Sequence, residues 1–129
     1  MSDQVFRSDA GAADVMRAYR AVLDRWPVPA QEIELATSQG TTFVLACGPE
    51  TAPPVVLLHG AQANSAAWRP DVALWSSRFR LYAVDMIGEA GRSARVRPPL
   101  SGDTYARWLD DVFTGLGLTH AALVGTSLG

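Results

Sequence analysis

The residues best suited to chemistry stand at the end of the chain, where Gly125-Thr126-Ser127-Leu128-Gly129 follows the apolar run Ala121-Ala122-Leu123-Val124. A Gly-x-Ser-x-Gly turn after a strand holds its serine in a strained strand-to-helix corner, with the hydroxyl exposed above the sheet. Such a hydroxyl can attack a carbonyl carbon when an adjacent base accepts its proton. The pattern predicts that Ser127 is a nucleophile and that Gly125 and Gly129 shape its turn. The alternative is an ordinary serine in a glycine-rich turn.

The two histidines, His59 and His120, are the first candidates for that base. His59 follows the apolar run Val55-Val56-Leu57-Leu58 and is followed by Gly60. His120 precedes the strand that leads to Ser127, and at ~3.3 Å per residue it lies roughly 20 Å from the serine. A general base must come within ~3 Å of the proton it removes, so His120 is excluded. Neither histidine has metal-ligand spacing, and we expect no metal and no organic cofactor.

The elements that must position Ser127 alternate between strands and helices from Val55 onward. The apolar runs at 55–58 and 121–124 are typical of buried strands, and a further strand is predicted at 81–85. Amphipathic helices are predicted near Ser65 and from Asp103, and Gly117 suits the end of the second helix. This order predicts a parallel sheet with helices on both faces. In such a sheet His59, Asp85 and Ser127 lie at the carboxyl ends of the predicted strands, which is where sheets of this kind bind ligands.

The first part of the chain predicts a helix and a β-hairpin. Apolar residues recur at spacings of three and four up to Trp26, Ser8 or Asp9 could cap the start, and Pro27 ends the pattern. Residues 32–37 and 41–46 are interpreted as strands joined by the turn residues 38–40. The apolar stripe of the helix is interpreted as a packing face and consists of Val15, Met16, Tyr19, Val22, Leu23 and Trp26.

The composition places the chain among folded proteins of about one domain. It has 129 residues, of which 48% are hydrophobic and 19% charged, and a net charge of −2 gives no reason to propose binding to nucleic acid or to a membrane surface. Cys47 is the single cysteine, so no internal disulfide is possible. No signal peptide and no apolar run of membrane-spanning length is found. We expect a soluble protein of the cytoplasm.

Two further motifs, together with the Ser127 turn, resemble the first half of the α/β-hydrolase superfamily. These are His59-Gly60 after one strand and Asp-x-x-Gly-x-x-Gly-x-Ser at 85–93 after the next. Within the superfamily the chain is similar to small bacterial carboxylesterases, through residues 26–29, the motif Asp85-x-Ile87-Gly88 and residues 105–112. The likeness is strongest over residues 54–129. This chain has Gly88-Glu89-Ala90-Gly91 where many members have Gly-x-Gly, so it departs from the family in the shape of that loop.

The resemblance implies an oxyanion hole made of two backbone N–H groups. One belongs to Leu128, the residue after the nucleophile, and the other to the loop after His59-Gly60. Ala61 is the first choice for the loop donor and Gln62 the second.

The resemblance also implies that His59, Gly60 and Asp85 shape the site rather than complete a catalytic triad. In this fold the triad follows the chain order Ser, then Asp or Glu, then His, so the acid and the base come after Ser127. His59 is therefore interpreted as a loop organiser, with a proton shuttle as the alternative. Asp85 is expected to hold the loop at 88–93, with a direct catalytic role as the alternative.

Only two residues follow Ser127, so the triad acid and base are not among them. We therefore expect residues 1–129 to be the N-terminal part of a single α/β-hydrolase domain, with a helical extension at 1–30 and core β/α units at 31–129. The expected partner is the C-terminal half of the same protein, in the same chain or as a separate fragment, and this chain alone is predicted to be inactive.

The predicted function is hydrolysis of small-molecule carboxylic esters through an acyl-enzyme on Ser127. Amide, lactone or carbon–carbon bond hydrolysis, or a cofactor-free peroxidase activity, are alternatives on the same fold. A non-catalytic α/β-hydrolase-like binding protein is the alternative from another class.

Overall fold

The computed structural model describes residues 5–129, and the first four residues of the predicted extension at 1–30 lie outside the described residues. Three α-helices, one 3₁₀ turn (Ser65–Trp68) and five strands form the described part of the chain. The helices are α1 (Asp9–Asp24), α2 (Arg69–Trp75) and α3 (Thr104–Leu116). The strands are β1 (Ala30–Thr37), β2 (Gly40–Cys47), β3 (Pro54–Leu58), β4 (Arg80–Val84) and β5 (Ala122–Gly125).

The five strands form one mixed sheet in the order β1-β2-β4-β3-β5. β3 pairs in parallel with both β4 and β5, which confirms the parallel arrangement predicted from Val55 onward. The predicted hairpin is β1 and β2, and β2 joins the sheet antiparallel to β4. The three parallel strands therefore end at one edge of the sheet, where His59, Asp85 and Ser127 follow them.

Helices cover both faces of the sheet, as the alternation of strands and helices predicts. On one face α1, the 3₁₀ turn and α2 pack against the sheet through Tyr19, Leu23, Trp68 and Val72. On the other face α3 packs through Trp108 and Val112. The apolar stripe predicted for the first helix is thus a packing face, and its residues Met16 and Trp26 join the same core.

Local signals account for the start of α1 and the end of α3. The Ser8 hydroxyl accepts a hydrogen bond from the Gly11 N–H at 3.0 Å and so caps α1. Gly117 ends α3 in the left-handed conformation with φ 71°, as predicted, because glycine has no Cβ to clash there. The helix predicted near Ser65 begins instead as a 3₁₀ turn and becomes α-helical at Arg69, with Pro70 in the first turn.

The sequence predicts that the last strand is buried, and this prediction is wrong for β5. All four of its residues are exposed, with Leu123 at 53% and Val124 at 37%. The reason is positional: β5 is an edge strand, paired with β3 on one side only in the described residues. Within residues 5–129 no helix is both long enough and apolar enough to cross a bilayer.

Candidate active site

Ser127 lies in a strained turn directly after β5. Its φ of 54° falls in the left-handed region, which a residue with a side chain occupies only when the surroundings enforce it. The residue is exposed, so the turn is open to solvent. The Thr126 N–H donates to the Leu58 carbonyl at 3.2 Å and the Gly129 N–H to the Thr126 carbonyl at 3.0 Å, which fixes the turn against the end of β3.

Two of the three glycines around Ser127 are required by close backbone approach, and the third lies in tight contact with the serine. A Cβ on Gly125 would lie 2.2 Å from the Gly129 carbonyl carbon, and a Cβ on Gly129 would lie 2.1 Å from the Leu58 carbonyl oxygen. A Cβ on Gly60 would lie 3.3 Å from the Ser127 Cβ. The two glycines of the motif therefore let the turn fold onto β3, and Gly60 lets the loop after β3 approach the serine.

His59 is fully buried, and both of its ring nitrogens have partners. Nε2 accepts a hydrogen bond from the Met86 N–H at 2.9 Å, so Nδ1 carries the proton and donates to the Gly60 carbonyl at 2.8 Å. Within residues 5–129 no hydrogen bond joins His59 to Ser127. The ring therefore ties the loop after β3 to the loop after β4, which supports its interpretation as a loop organiser.

Asp85 is a fully buried carboxylate at the end of β4 with several hydrogen-bond donors around it. Oδ1 accepts from the Ser65 N–H at 2.9 Å and Oδ2 from the Arg92 N–H at 2.9 Å. The Tyr19 hydroxyl lies 2.9 Å from Oδ1 and 3.0 Å from Oδ2. A Cβ on Gly91 would lie 2.5 Å from Oδ2, so the loop wraps closely around this carboxylate. Asp85 thus has the contacts expected of a residue that holds the loop at 88–93.

The loop after β3 contains the two candidate oxyanion donors, Ala61 and Gln62, which differ in their partners. The Gln62 N–H donates to the Glu89 carboxylate. Within the described residues neither Ala61 nor Leu128 donates its backbone N–H to an acceptor. The preference for Ala61 over Gln62 stays a prediction, and this difference favours it.

Sequence reasoning gave no role to Glu89 and treated Tyr19 only as part of a packing stripe. Glu89 is buried. The one sequence feature that could have singled it out is a carboxylate inside a glycine-rich loop, at the point where the chain departs from the family's Gly-x-Gly pattern. Tyr19 had no signal beyond its place in the stripe.

The described residues hold a candidate nucleophile without its activating groups. Asp85 makes no hydrogen bond to Ser127 within this part of the chain, and His120 lies on the amino-terminal side of β5, beside Thr119. Among the residues that the structure describes, no group of three or more His, Cys, Asp or Glu side chains could hold a metal ion. The arrangement can present a hydroxyl and backbone N–H groups to a carbonyl compound.

A strained serine turn at the carboxyl edge of a sheet covered by helices on both faces is typical of α/β-hydrolases. The sequence model of the α/β-hydrolase fold family matches residues 53–129. The chain belongs to this family. Its fold is therefore the α/β-hydrolase fold, as the motifs predicted.

Bacillus subtilis carboxylesterases are among its similar relatives. The carboxylesterase nap is 44% identical over 113 residues, which are 88% of this chain and 38% of that protein. The crystal structure of B. subtilis naproxen esterase has a TM-score of 0.84 at 44% identity and covers 96% of this chain and 43% of that one. That of the B. subtilis carboxylesterase CesB has a TM-score of 0.83 at 40% identity and covers 91% and 41%. The chain thus spans well under half the length of these relatives.

Proposed function

We propose that this chain is the nucleophile-bearing part of a serine hydrolase that cleaves carboxylic esters. The observation that carries the proposal is the left-handed backbone of Ser127 between two glycines that admit no side chain. A position of this kind is strained, and strained residues cluster at active sites. The relatives named carboxylesterases support esters as the substrate class.

In the proposed reaction the Ser127 Oγ attacks the ester carbonyl carbon, and a histidine accepts the hydroxyl proton. The backbone N–H groups of Ala61 and Leu128 donate to the resulting oxyanion, where each such donor contributes about 3 kcal/mol of transition-state stabilisation. The alcohol leaves with the proton from the histidine. The histidine then takes a proton from water, which attacks the acyl carbon; the bond to the Ser127 Oγ breaks, the carboxylic acid leaves, and the histidine returns the proton to the serine.

The histidine and the triad acid would come from a C-terminal portion that follows this chain in the same polypeptide. We call the polypeptide made of this chain and that portion the complete protein. Its C-terminal portion would pack on the apolar surfaces on either side of β5, because contiguous exposed apolar surface marks an interaction site. One of these surfaces is a groove of about 300 Å³ lined by Val55, Trp75, Phe79, Leu81, Ala122 and Val124.

The surface on the other side of the sheet is a groove of about 240 Å³. It lies between α3 and the end of the sheet, and Leu58, Met86 and Leu128 contribute to it. Because Leu128 is part of this groove, a segment that fills it would also contact the turn that holds Ser127. On this proposal, residues 1–129 alone do not catalyse ester hydrolysis.

The test uses a fluorophosphonate probe and the hydrolysis of p-nitrophenyl butyrate by the complete protein. Labelling and hydrolysis are expected for the wild-type protein, and the Ser127→Ala variant is expected to lose both, with kcat down by at least about 10⁴-fold. Ser77→Ala is the matched control, because Ser77 lies at the other end of the sheet after α2. Equal labelling of the wild type and Ser127→Ala would refute the nucleophile assignment.

The substrate class is tested by comparing the ester with p-nitrobutyranilide, the amide of the same acyl group. We expect kcat/KM for the ester to exceed that for the amide by orders of magnitude. Comparable values for the two substrates would contradict an esterase and favour an amidase on the same fold.

A further inference from the structure

The structure assigns Glu89 as a positioning residue for the oxyanion hole. Its carboxylate accepts the backbone N–H of Gln62, which fixes the loop after β3 and leaves Ala61 to supply the donor from that loop. This inference rests on the proposed function and adds to it a residue outside the serine, the triad and the backbone donors.

Glu89 is a buried carboxylate with a specific backbone partner. The residue is 7% exposed and lies in the loop that follows β4. Burying a carboxylate is costly unless it is hydrogen-bonded, so the contact from the Gln62 N–H to Oε1 offsets part of that cost. The contact joins residues 27 positions apart, and neither residue can move freely without breaking it.

Gln62 has a backbone conformation that needs external support. Its φ is 62°, and Gln62 and Ser127 are the two residues other than glycine with positive φ in the part of the chain that the structure describes. Such a conformation costs about 1–3 kcal/mol and persists when neighbouring groups determine it. The charge-assisted hydrogen bond to Glu89 is a group of that kind, and charged acceptors form stronger hydrogen bonds than neutral ones.

Other contacts between the same two loops hold positions on either side of Gln62. The Met86 N–H donates to His59, and the Ser65 N–H donates to Asp85, so both ends of the segment 59–65 are fixed. The Asn64 Nδ2 donates to the Ala90 carbonyl at 3.0 Å. The contact made by Glu89 is the one that reaches the residue directly after Ala61.

The choice of oxyanion donor follows from this arrangement. A backbone N–H that already donates to a buried carboxylate is not free to bind a developing oxyanion. The Gln62 N–H is occupied in this way, whereas the Ala61 N–H has no acceptor within residues 5–129. Because a misplacement of about 1 Å in a catalytic group can reduce the rate about a hundredfold, release of Gln62 should be visible in kcat.

The test compares Glu89→Gln with Glu89→Met in the complete protein. Glutamine keeps an oxygen that can accept from Gln62, whereas methionine has a similar length and volume but cannot replace it as an acceptor. We expect Glu89→Gln to retain kcat within about threefold and Glu89→Met to lose about tenfold to a hundredfold in kcat, with KM changed less than threefold. Glu50→Gln, in the exposed loop before β3, is the control for removal of a charge.

Amide hydrogen exchange at Gln62 gives a second readout that does not depend on turnover. Protection of this amide should be retained in Glu89→Gln and lost in Glu89→Met, while the amides of β3 remain protected in both. Unchanged kcat in Glu89→Met would overturn the assignment, and so would equal losses in the two variants, because the hydrogen bond from the Gln62 N–H to the side-chain oxygen would then not account for the loss. A wild-type protein without a reactive Ser127 would refute the proposed function, whereas an active, Ser127-dependent protein indifferent to Glu89→Met would refute this inference alone.

Discussion

The hydroxyl of Tyr19 on α1 lies 2.9 Å and 3.0 Å from the two carboxylate oxygens of Asp85, 66 positions further along the chain. Burial of the phenol, together with the negative charge of Asp85, raises the pKa of Tyr19 well above its ordinary value. The phenol is therefore protonated and acts as the donor. Asp85 in turn accepts from the Ser65 N–H, so a side chain of the first helix is connected to the segment that contains Ala61.

We expect Tyr19→Phe to lower the free energy of unfolding by about 1.5–3 kcal/mol, because it removes a hydrogen bond to a buried charged group. Chemical denaturation of the complete protein measures this loss. Tyr82→Phe is the control, since the Tyr82 hydroxyl makes no hydrogen bond within the described residues and Tyr82 is only half-buried. Equal losses in the two variants would contradict a specific contribution from the bond to Asp85.

Gly129→Ala should destabilise the complete protein more than Gly117→Ala. A Cβ on Gly129 would lie 2.1 Å from the Leu58 carbonyl oxygen, and its three nearest atoms all belong to the backbone, so we expect a loss of about 3 kcal/mol. Gly117 has φ 71° with nothing within 4 Å of a Cβ, so alanine there costs about 1–2 kcal/mol for the left-handed backbone alone. Thermal unfolding measures both, and a reversed order would refute the close approach of this turn to β3.

The ion pairs of Glu32 should make stability depend on pH in the acid range. The Arg20 guanidinium donates to both carboxylate oxygens of Glu32 and, with a smaller effect from Arg92, lowers the pKa of Glu32 below its ordinary value of 4.5. Because the folded pKa lies below the unfolded one, the stabilisation is present above about pH 4.5 and is lost as the pH falls through the folded pKa. The three side chains are about 34–42% exposed, so we expect no more than about 1 kcal/mol.

Glu32→Gln should therefore lower the melting temperature slightly at pH 7, and the difference from the wild type should shrink toward pH 3. Glu34→Gln is the control, because Glu34 lies two residues along the same strand and forms no ion pair within residues 5–129. A difference between wild type and Glu32→Gln that stays constant from pH 7 to pH 3 would contradict this account. High salt should reduce the difference at pH 7, since it screens exposed pairs.

The thiol of Cys47 should react slowly in the folded protein. Cys47 is 3% exposed, and burial raises the pKa of its thiol, so little thiolate is present or accessible near neutral pH. Titration with an aromatic disulfide reagent at pH 8 should show slow release of the reagent's thiolate in buffer and complete reaction of the Cys47 thiol in denaturant. Rapid reaction of the native protein would show that the end of β2 is open to solvent.

The local elements could be predicted from the sequence because their signals lie within a few residues of one another. The spacing of Trp108 and Val112 predicts the inner face of α3, and the structure buries both. Gly117 predicts the end of that helix because it tolerates a positive φ. The Gly-x-Ser-x-Gly spacing predicts a strained turn, and Ser127 has a positive φ, which is a strained conformation for a residue with a side chain.

The exposure of β5 shows the limit of local sequence signals. The apolar run at 121–124 predicts a strand on hydrophobicity alone, but burial depends on what lies beside and above the strand. In the described residues β5 has a neighbour on one side, so its side chains are exposed. A pattern within the strand cannot report which neighbours it has.

The amino-acid order by itself determined most of the element types, the end of α3 at Gly117 and the serine turn, because these depend on steric and hydrophobic preferences of neighbouring residues. The tertiary structure alone decided that Tyr19 reaches Asp85 and that Glu89 reaches the Gln62 N–H. These contacts form between segments far apart in the chain, since a buried carboxylate takes whichever donors the packed helices and loops bring to it.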